Sequence, residues 1–430
     1  MTPNNNQINF TKLLNLSAIL FVGGILISFV SSWLVTKVLN QEYVGIYQFL
    51  LNILETGALV CTAGFQLLAV KEIPFLNYQK FKISLFIQQG LRTILLSSTL
   101  IIPAIYILHY SFSQHGDNAN LPLLMALIVL PAFTILKFFS SILHGFEKIY
   151  LAVIPEKIIR PLSVVIFCLV FWIAGIYQDK TIYFLILLFG LFSFITGAIF
   201  YNYIQKNSKH LQQKTPVKNY YLGALSIFPF VLLSNLNLKI DGFILYGLES
   251  LENYAIYAQA NKFAYLSAFG LVIYDHVFAP YISQNNQSLN QQQINQFIVK
   301  KIRVVFVVSI LVFAAIVFLG EDILSTFGKK TDNYEKGYEA MIILGLGQLI
   351  NVAFGPVINI LILNQQQKVA IYSVSIALVS NILLNYLWIP TMGINGAALA
   401  TSVSFIIWKS LLLYFVKTKT NFKSAIWERV

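Results

Sequence analysis

Long apolar runs alternate with short polar segments over the whole chain. A helix that crosses the hydrocarbon core of a bilayer, about 30 Å thick, needs about 20 mostly apolar residues. Helices also satisfy their own backbone hydrogen bonds, which lipid cannot do for them. The pattern therefore predicts an all-α polytopic membrane protein with about twelve transmembrane helices. The predicted spans are residues 13–35, 44–70, 83–108, 121–143, 158–176, 182–203, 221–245, 255–278, 304–319, 341–363, 369–388 and 394–416.

Two pairs of similar segments indicate an internal repeat. The members of each pair lie at equivalent places in two sets of six spans: residues 42–47 with 252–257, and residues 143–148 with 363–368. Such spacing is typical of parallel repeats related by an axis along the membrane normal. We therefore predict two six-helix lobes with a parallel pseudo-two-fold. The predicted division is an N-terminal lobe, residues 1–203, a cytoplasmic linker, residues 204–219, and a C-terminal lobe, residues 220–430.

The loops between the predicted spans differ in charge from one side to the other. Loops on the side of the two termini hold 20 of the 29 Lys and Arg residues, Lys157 and Arg160 among them, whereas the opposite loops hold five. Because cytoplasmic loops are the ones rich in Lys and Arg, both termini are predicted to be cytoplasmic. The dispersal of these cations accounts for the net charge of +12 without a basic patch, which argues against nucleic acid as a partner.

Composition agrees with this class of protein. Hydrophobic residues make up 57% of the chain and charged residues 11%, against about 25% charged residues in soluble domains. Cys61 and Cys168 lie in apolar spans, which predicts buried free thiols. The sequence has no nucleotide-binding loop and no HExxH motif, and its longest polar segments, residues 283–301 and 320–340, are too short for a catalytic domain. We therefore expect no enzymatic activity, no cofactor and no metal.

Ionisable residues inside the spans are candidates for function, because each costs on the order of several kcal/mol unless it faces water or a partner. Helical rise puts Glu55 about 18 Å below the outer surface and Arg92 about 13 Å above the inner one. In a slab of about 30 Å these depths nearly coincide, so the two residues either form a packing pair or belong to a charged site. The full set is Glu55, Arg92, Lys137, Lys239, Asp241, Lys262 and Asp275.

The cations of this set are candidates for binding an anionic substrate. Arg92 and Lys137 would face such a substrate from the cytoplasmic side, and neither Lys137 nor Lys262 has a partner nearby in the sequence. Lys239 and Asp241 lie near the outer end of their helix, where a long side chain reaches water at little cost. Three carboxylates are candidates either for binding a coupling proton or sodium ion or for structural pairing: Glu55, Asp241 and Asp275.

A polar stripe runs along the tenth predicted span. Gln348, Asn351, Gly355 and Asn359 fall within an arc of about 100° on a helix. Pro356 follows Gly355 and is expected to kink the helix. We interpret the stripe as the lining of a wet cavity.

Three segments of the chain resemble one known family. Residues 385–401, NYLWIPTMGINGAALAT, are similar to a signature of Ile-Pro followed by Gly-x-x-Gly-Ala-Ala-x-Ala-Thr. Residues 241–245 with 256–257 resemble the seventh-to-eighth span of the same family, and residues 38–47 resemble its first outer loop. The family is that of the polysaccharide-biosynthesis flippases, of the O-antigen translocase type. It belongs to the multidrug/oligosaccharidyl-lipid/polysaccharide exporter superfamily.

The resemblance implies a flippase in which two six-helix lobes surround a cavity that opens alternately to each side. Such a protein moves undecaprenyl-diphosphate-linked oligosaccharide, the repeat unit of lipopolysaccharide O-antigen, capsule or exopolysaccharide, across the bacterial inner membrane. The implied partners are this lipid-linked substrate, membrane lipids, and a polymerase or glycosyltransferases of the same pathway. The candidate residues for the diphosphate and glycan cavity are Arg92, Lys137, Lys262, Gln348, Asn351 and Asn359.

Three other functions fit the sequence less well. A cation-coupled small-molecule or drug antiporter of the same superfamily normally presents intramembrane acids to its substrate, whereas here the deep cations equal or outnumber the acids. A membrane polymerase or glycosyltransferase needs a catalytic constellation on a large outer loop, which the sequence lacks. A scaffold without transport would leave the buried charges unexplained.

Overall fold

The computed structural model describes residues 5–79, 82–112, 116–175, 180–208, 219–272, 274 and 291–429. All regular secondary structure within these residues is helical, which confirms the predicted fold class. The chain divides into two compact units, Met1–Leu232 and Leu233–Val430. Most of the predicted linker lies outside the described residues, so its role as a domain boundary stays a prediction.

The first unit contains helices α1 to α8 and the beginning of α9. A π-helical turn, Pro155–Ile159, joins α6 directly to α7. The helix bounds are α1 Asn5–Val38, α2 Gln41–Thr62, α3 Phe65–Tyr78, α4 Ser84–Phe112, α5 Gly116–Gly145, α6 Ile149–Ile154, α7 Arg160–Ile173 and α8 Thr181–Asn207.

The second unit contains the end of α9 and helices α10 to α15. A short 3₁₀ turn, Tyr334–Gly337, precedes α13. The helix bounds are α9 Tyr220–Asn237, α10 Ile240–Leu248, α11 Leu251–Leu266, α12 Gln291–Ser325, α13 Tyr338–Ala353, α14 Val357–Leu363 and α15 Gln367–Lys419. Each predicted span overlaps one or more of the helices of the two units.

The second predicted span is divided into two helices, α2 and α3. Ala63 and Gly64 separate them with φ angles of 44° and 89°. A Cβ atom on Gly64 would lie 2.2 Å from the carbonyl oxygen of Ala224 on α9, so this backbone approach requires glycine. The sequence pattern predicted one continuous span here because both halves are apolar.

The eleventh and twelfth predicted spans lie in α15, which is too long to cross a bilayer once. Gly393 interrupts it with φ 55° and ψ −133°, values outside the helical region. A Cβ atom on Gly396 would lie 2.3 Å from the carbonyl oxygen of Trp388, so the chain folds back on itself at this point. The Gly-x-x-Gly part of the family signature therefore has a structural reason: it forms the turn between two spans.

The tenth predicted span is kinked, as Pro356 predicts. Helices α13 and α14 meet at an angle of about 40° across the residues between them. Gly355 adopts φ 72°, and a Cβ atom there would lie 2.4 Å from the carbonyl oxygen of Ser424. The C-terminal segment therefore packs directly against the kink.

The apolar helices are long enough to form a multi-pass membrane protein. Among the described residues, seven helices have the length and composition to cross a bilayer, or eight when the bent pair α13 and α14 counts as one span. Four predicted spans remain, and they overlap α1, the second half of α15, the run of α6, π turn and α7, and α11.

Candidate functional site

An ion pair lies inside the first unit. Lys137 Nζ on α5 donates a hydrogen bond to Glu156 Oε1 on the π-helical turn. The Lys137 ammonium also lies 5.3 Å from the centroid of the Phe133 ring, a cation–π contact. The two charged side chains keep exposed fractions of 24% and 14%. Lys137 therefore has a partner, although none was visible near it in the sequence.

The hairpin of α5 and α6 explains this pairing. Lys137 lies two turns before Gly145, where α5 ends, and Glu156 lies two turns after Lys148, which precedes α6. At a rise of 1.5 Å per residue, both are about 12 Å from the turn between the helices. The fifth span was predicted to begin at residue 158, which is too late, because its helix begins at Ile149. Glu156, Lys157 and Arg160 consequently lie within this helical run and not in a loop before it.

The π-helical turn follows from the positions of two prolines. Pro155 accepts a hydrogen bond from the amide of Arg160, five residues later, whereas Pro161 has no amide hydrogen to donate to the carbonyl of Lys157. Helix α1 approaches this region closely, since a Cβ atom on Gly24 would lie 2.7 Å from Lys157 O. Single π turns inside α-helices are frequent at functional sites.

Further charges surround the ion pair, and together they form what we call the basic cluster: Glu55, Lys137, Glu156, Lys157 and Arg160. Lys157 and Arg160 interact electrostatically with Glu156, as Lys137 does. Glu55 interacts in the same way with Lys157. With three cations and two carboxylates, the basic cluster carries a net charge of about +1 when all five groups are ionised.

Arg160 has unused hydrogen-bonding capacity. Its guanidinium carbon lies 5.4 Å from the centroid of the Phe189 ring. Its Nη1 atom is buried and donates to no acceptor among the described residues. A buried donor without an acceptor costs about 1–3 kcal/mol. An anion placed beside Arg160 would remove that cost.

Arg92 lies on α4 with its side chain exposed. Glu55 interacts electrostatically with Lys157. The alternative of a Glu55–Arg92 packing pair stays a prediction.

A second site is a buried carboxylate in the second unit. Asp241 is 1% exposed, although the sequence suggested that it reached water at the end of its helix. Its Oδ2 accepts hydrogen bonds from the hydroxyl of Tyr257 and, at 2.9 Å, from Oγ1 of Thr401. Its Oδ1 accepts from the amide of Gly242 at 2.8 Å. Asp241 forms no ion pair with a Lys or Arg among the residues described.

Buried side chains on other helices continue this polar region: Asn237, Asn381, Asn385 and Ser404. Asn381 Nδ2 donates to Asn237 O at 3.1 Å, and Ser404 Oγ donates to Asn237 Oδ1 at 3.0 Å. Asn385 Nδ2 donates to Asn381 Oδ1 at 2.7 Å. The Oδ1 atom of Asn385 and the Nδ2 atom of Asn237 are buried without a hydrogen-bond partner in the described structure.

Sequence reasoning selected Asp241 as a candidate but not the polar residues around it, Asn237, Asn381, Asn385, Thr401 and Ser404. Asn237 with Asp241, and Thr401 with Ser404, lie one turn apart along the chain. Polar residues one turn apart inside apolar spans are the signal that could have identified them. The sequence does not show which of these polar pairs lie side by side, because that depends on how the helices pack.

The predicted stripe on the tenth span is only partly continuous. Gln348 is 2% exposed, and its Oε1 accepts a hydrogen bond of 3.1 Å from Asn351 Nδ2. Asn359 lies beyond the kink on α14 and is half-buried.

Two charged candidates from the sequence remain. Lys262 is half-buried on α11, and Asp275 lies outside the described residues.

The described residues contain no group of three or more His, Cys, Asp or Glu side chains that could hold a metal ion. Cys61 and Cys168 are buried free thiols.

Comparisons with known proteins agree with the architecture. A family model described as polysaccharide biosynthesis protein matches residues 13–286, and the MatE family model matches residues 227–387. No curated protein matches the sequence.

Several solved structures share the fold at low sequence identity. The lipid II flippase MurJ, in an inward closed conformation, is 19% identical with a TM-score of 0.68, covering 95% of this chain and 87% of that one. A transporter of the MOP superfamily from Pyrococcus furiosus, described as having a binding pocket of reverse polarity, is 13% identical with a TM-score of 0.66 and 95% coverage of both chains. An inward-facing multidrug resistance MATE transporter is 13% identical with a TM-score of 0.64, covering 95% and 94%.

Proposed function

The chain belongs to the polysaccharide biosynthesis protein family, and from this membership we propose that it flips undecaprenyl-diphosphate-linked oligosaccharide from the cytoplasmic to the periplasmic leaflet. The oligosaccharide is the repeat unit of an O-antigen, a capsule or an exopolysaccharide. The protein works by alternating access in the bacterial inner membrane, with both termini in the cytoplasm. A polymerase and glycosyltransferases of the same pathway are its functional partners.

The basic cluster is the observation that carries the proposal. A diphosphate brings negative charge into a region of low dielectric, where it needs cations and hydrogen-bond donors. Lys137, Lys157 and Arg160 offer both within one unit, and Arg160 has a donor to spare. Arg92 supplies a further cation from the exposed side of α4. The polyprenyl tail stays in lipid and needs no protein site.

Four polar residues of the second unit, three half-buried and one buried, are assigned to the glycan. Lys262, Gln348, Asn351 and Asn359 offer amide and ammonium groups that suit sugar hydroxyls. Asn351 Oδ1 is buried without a partner among the described residues, so it has an acceptor to offer.

Asp241 is the leading candidate for the coupling ion, with Glu55 and Asp275 as the others from the sequence. A carboxylate that is deeply buried without a cation beside it is unfavourable, and binding a proton or a sodium ion removes the uncompensated charge. Glu55 differs because it already interacts with Lys157.

Complementation of a strain that lacks the chromosomal gene tests the proposal. The double variant Lys157→Ala/Arg160→Ala should abolish surface glycan and leave lipid-linked oligosaccharide in the cytoplasmic leaflet, with the protein still in the membrane. Lys148→Ala is the matched control, because this exposed cation lies at the end of the same hairpin. Normal surface glycan in the double variant would contradict the assignment of the diphosphate site.

A cation-coupled small-molecule antiporter is the second candidate, favoured by the MatE match and by the buried Asp241. Everted vesicles distinguish the two functions. An antiporter would extrude a cationic dye in exchange for protons or sodium, whereas a flippase would leave the dye distribution unchanged and translocate labelled lipid-linked oligosaccharide.

A further inference from the structure

Glu156 occupies a position that suits the phosphate of a substrate. Its carboxylate accepts a hydrogen bond from Lys137 and lies in the electrostatic field of Lys157 and Arg160. One carboxylate carries a single negative charge and two oxygens, whereas a diphosphate carries more of both. The cations around Glu156 therefore suit a ligand larger and more negative than the carboxylate itself.

The backbone holds Glu156 beside these cations. The π-helical turn places Glu156 and Arg160 nearly one turn apart, on the same side of the helix. The turn is braced by the close approach of Gly24 to Lys157. The turn therefore places the Glu156 carboxylate where it accepts a hydrogen bond from Lys137.

Two features distinguish this arrangement from an ordinary structural salt bridge. A structural pair is most favourable when every donor around it is satisfied, but Arg160 Nη1 has no acceptor among the described residues. Lys137 and Glu156 also retain exposed fractions of 24% and 14%. Water or a ligand can therefore reach the pair.

We propose that Glu156 is an internal substitute for the substrate's phosphate, which binds Lys137 in the empty protein and is displaced when an anionic phosphate group binds the basic cluster. Glu156 is thus a positioning residue that keeps the cations in place and lowers the affinity for the anion, so that the anion is released after translocation. The inference rests on the proposed function, since it assumes that the basic cluster binds phosphate.

The central experiment measures binding of inorganic pyrophosphate to the purified full-length protein in lipid nanodiscs. Glu156→Gln removes the competing charge and preserves the shape of the side chain, so it should tighten pyrophosphate binding about tenfold or more. Affinity in this variant should also fall more steeply with salt concentration. Glu147→Gln is the matched control, because this exposed carboxylate lies on the same hairpin outside the basic cluster, and its affinity should equal that of the wild type.

Two more variants keep the test decisive if Glu156→Gln folds poorly. Glu156→Asp retains the charge but withdraws it from Lys137 by one methylene, so its affinity should lie between those of the wild type and Glu156→Gln. Lys137→Gln/Glu156→Gln removes one charge of each sign and should bind pyrophosphate more weakly than Glu156→Gln alone, because Lys137 is one of the cations that the displaced Glu156 leaves to the ligand.

The possible outcomes separate this inference from the proposed function. Tighter binding in Glu156→Gln, together with slower glycan export in cells, supports the inference. Equal or weaker binding in Glu156→Gln, when the wild type binds pyrophosphate, overturns the inference and leaves the phosphate site intact. If neither protein binds pyrophosphate, the assignment of the basic cluster as a phosphate site fails, and the inference fails with it.

Discussion

Arg303 Nε on α12 donates a hydrogen bond of 2.9 Å to the carbonyl oxygen of Ile426, close to the end of the chain. On the same helix, Asn295 Nδ2 donates to the carbonyl oxygen of Asn421 at 3.0 Å. Residues 420–429 therefore form an ordered strap along α12, which we call the C-terminal strap.

The C-terminal strap also contacts the kink between α13 and α14. The amide of Ile426 donates to Ala353 O at 3.0 Å, and the Trp427 ring packs edge-on against Phe354 with centroids 5.2 Å apart. The strap thus links α12 to the kink, and its attachment can be tested separately from transport.

Removing the Arg303 side chain should loosen the C-terminal strap. Arg303→Ala deletes two exposed charge-assisted hydrogen bonds, worth about 1 kcal/mol in total, so the strap should open about fivefold more often. Trypsin added to inside-out vesicles should then cleave after Lys423 correspondingly faster. Lys301→Ala is the control, because its ammonium lies over the Phe297 ring and not on the strap. Equal cleavage of both variants would show that Arg303 does not hold the strap.

Two adjacent glycines of α1 should respond differently to a methyl group. Gly24→Ala places a Cβ atom 2.7 Å from Lys157 O, so α1 and the π-helical turn must move apart. Gly23→Ala meets no atom within 4 Å. We expect Gly24→Ala to lower glycan export several-fold and Gly23→Ala to leave it unchanged, measured at matched protein levels. Similar export by both variants would mean that this approach does not position the basic cluster.

The turn within α15 should not tolerate a side chain at Gly396. In Gly396→Ala the new Cβ atom would lie 2.3 Å from the backbone oxygen of Trp388. Backbone must shift to relieve this overlap, at a cost of about 1–3 kcal/mol. The melting temperature of the purified protein should fall by several degrees, whereas Gly247→Ala, which meets nothing within 4 Å, should not change it. An unchanged melting temperature in Gly396→Ala would argue against the folded-back turn.

Neutralising Asp241 should uncouple transport from its ion. Asp241→Asn keeps the size of the side chain, and its single oxygen can still accept hydrogen bonds from Tyr257 and Thr401 while the bond from the Gly242 amide is lost. We expect a folded protein without ion-driven transport. The measurement is glycan export as a function of external pH and sodium concentration. Asp322→Asn, which alters an exposed carboxylate in the same unit, should retain the wild-type dependence. Full export by Asp241→Asn with unchanged ion dependence would remove Asp241 as the coupling group.

The position of Lys137 shows how far local reasoning reaches. Its partner Glu156 lies at an equal distance from the same helical turn, so the pair was available from the sequence once the fifth span began at residue 149. Assigning the charged residues before Ile158 to a loop concealed it, because short charged segments usually lie outside the membrane. The error concerned the start of a helix and not its existence.

The sequence by itself determined the all-α membrane fold, the approximate spans, the kink at Pro356 and the family, because run length, proline chemistry and a signature motif are properties of contiguous residues. Only the tertiary structure decided that Asp241 is buried and accepts a hydrogen bond from Thr401, 160 residues away in the chain, and that Glu55 interacts with Lys157. Such contacts depend on which faces of the helices pack together. Every span is apolar on most of its surface, so composition leaves that choice open and packing geometry makes it.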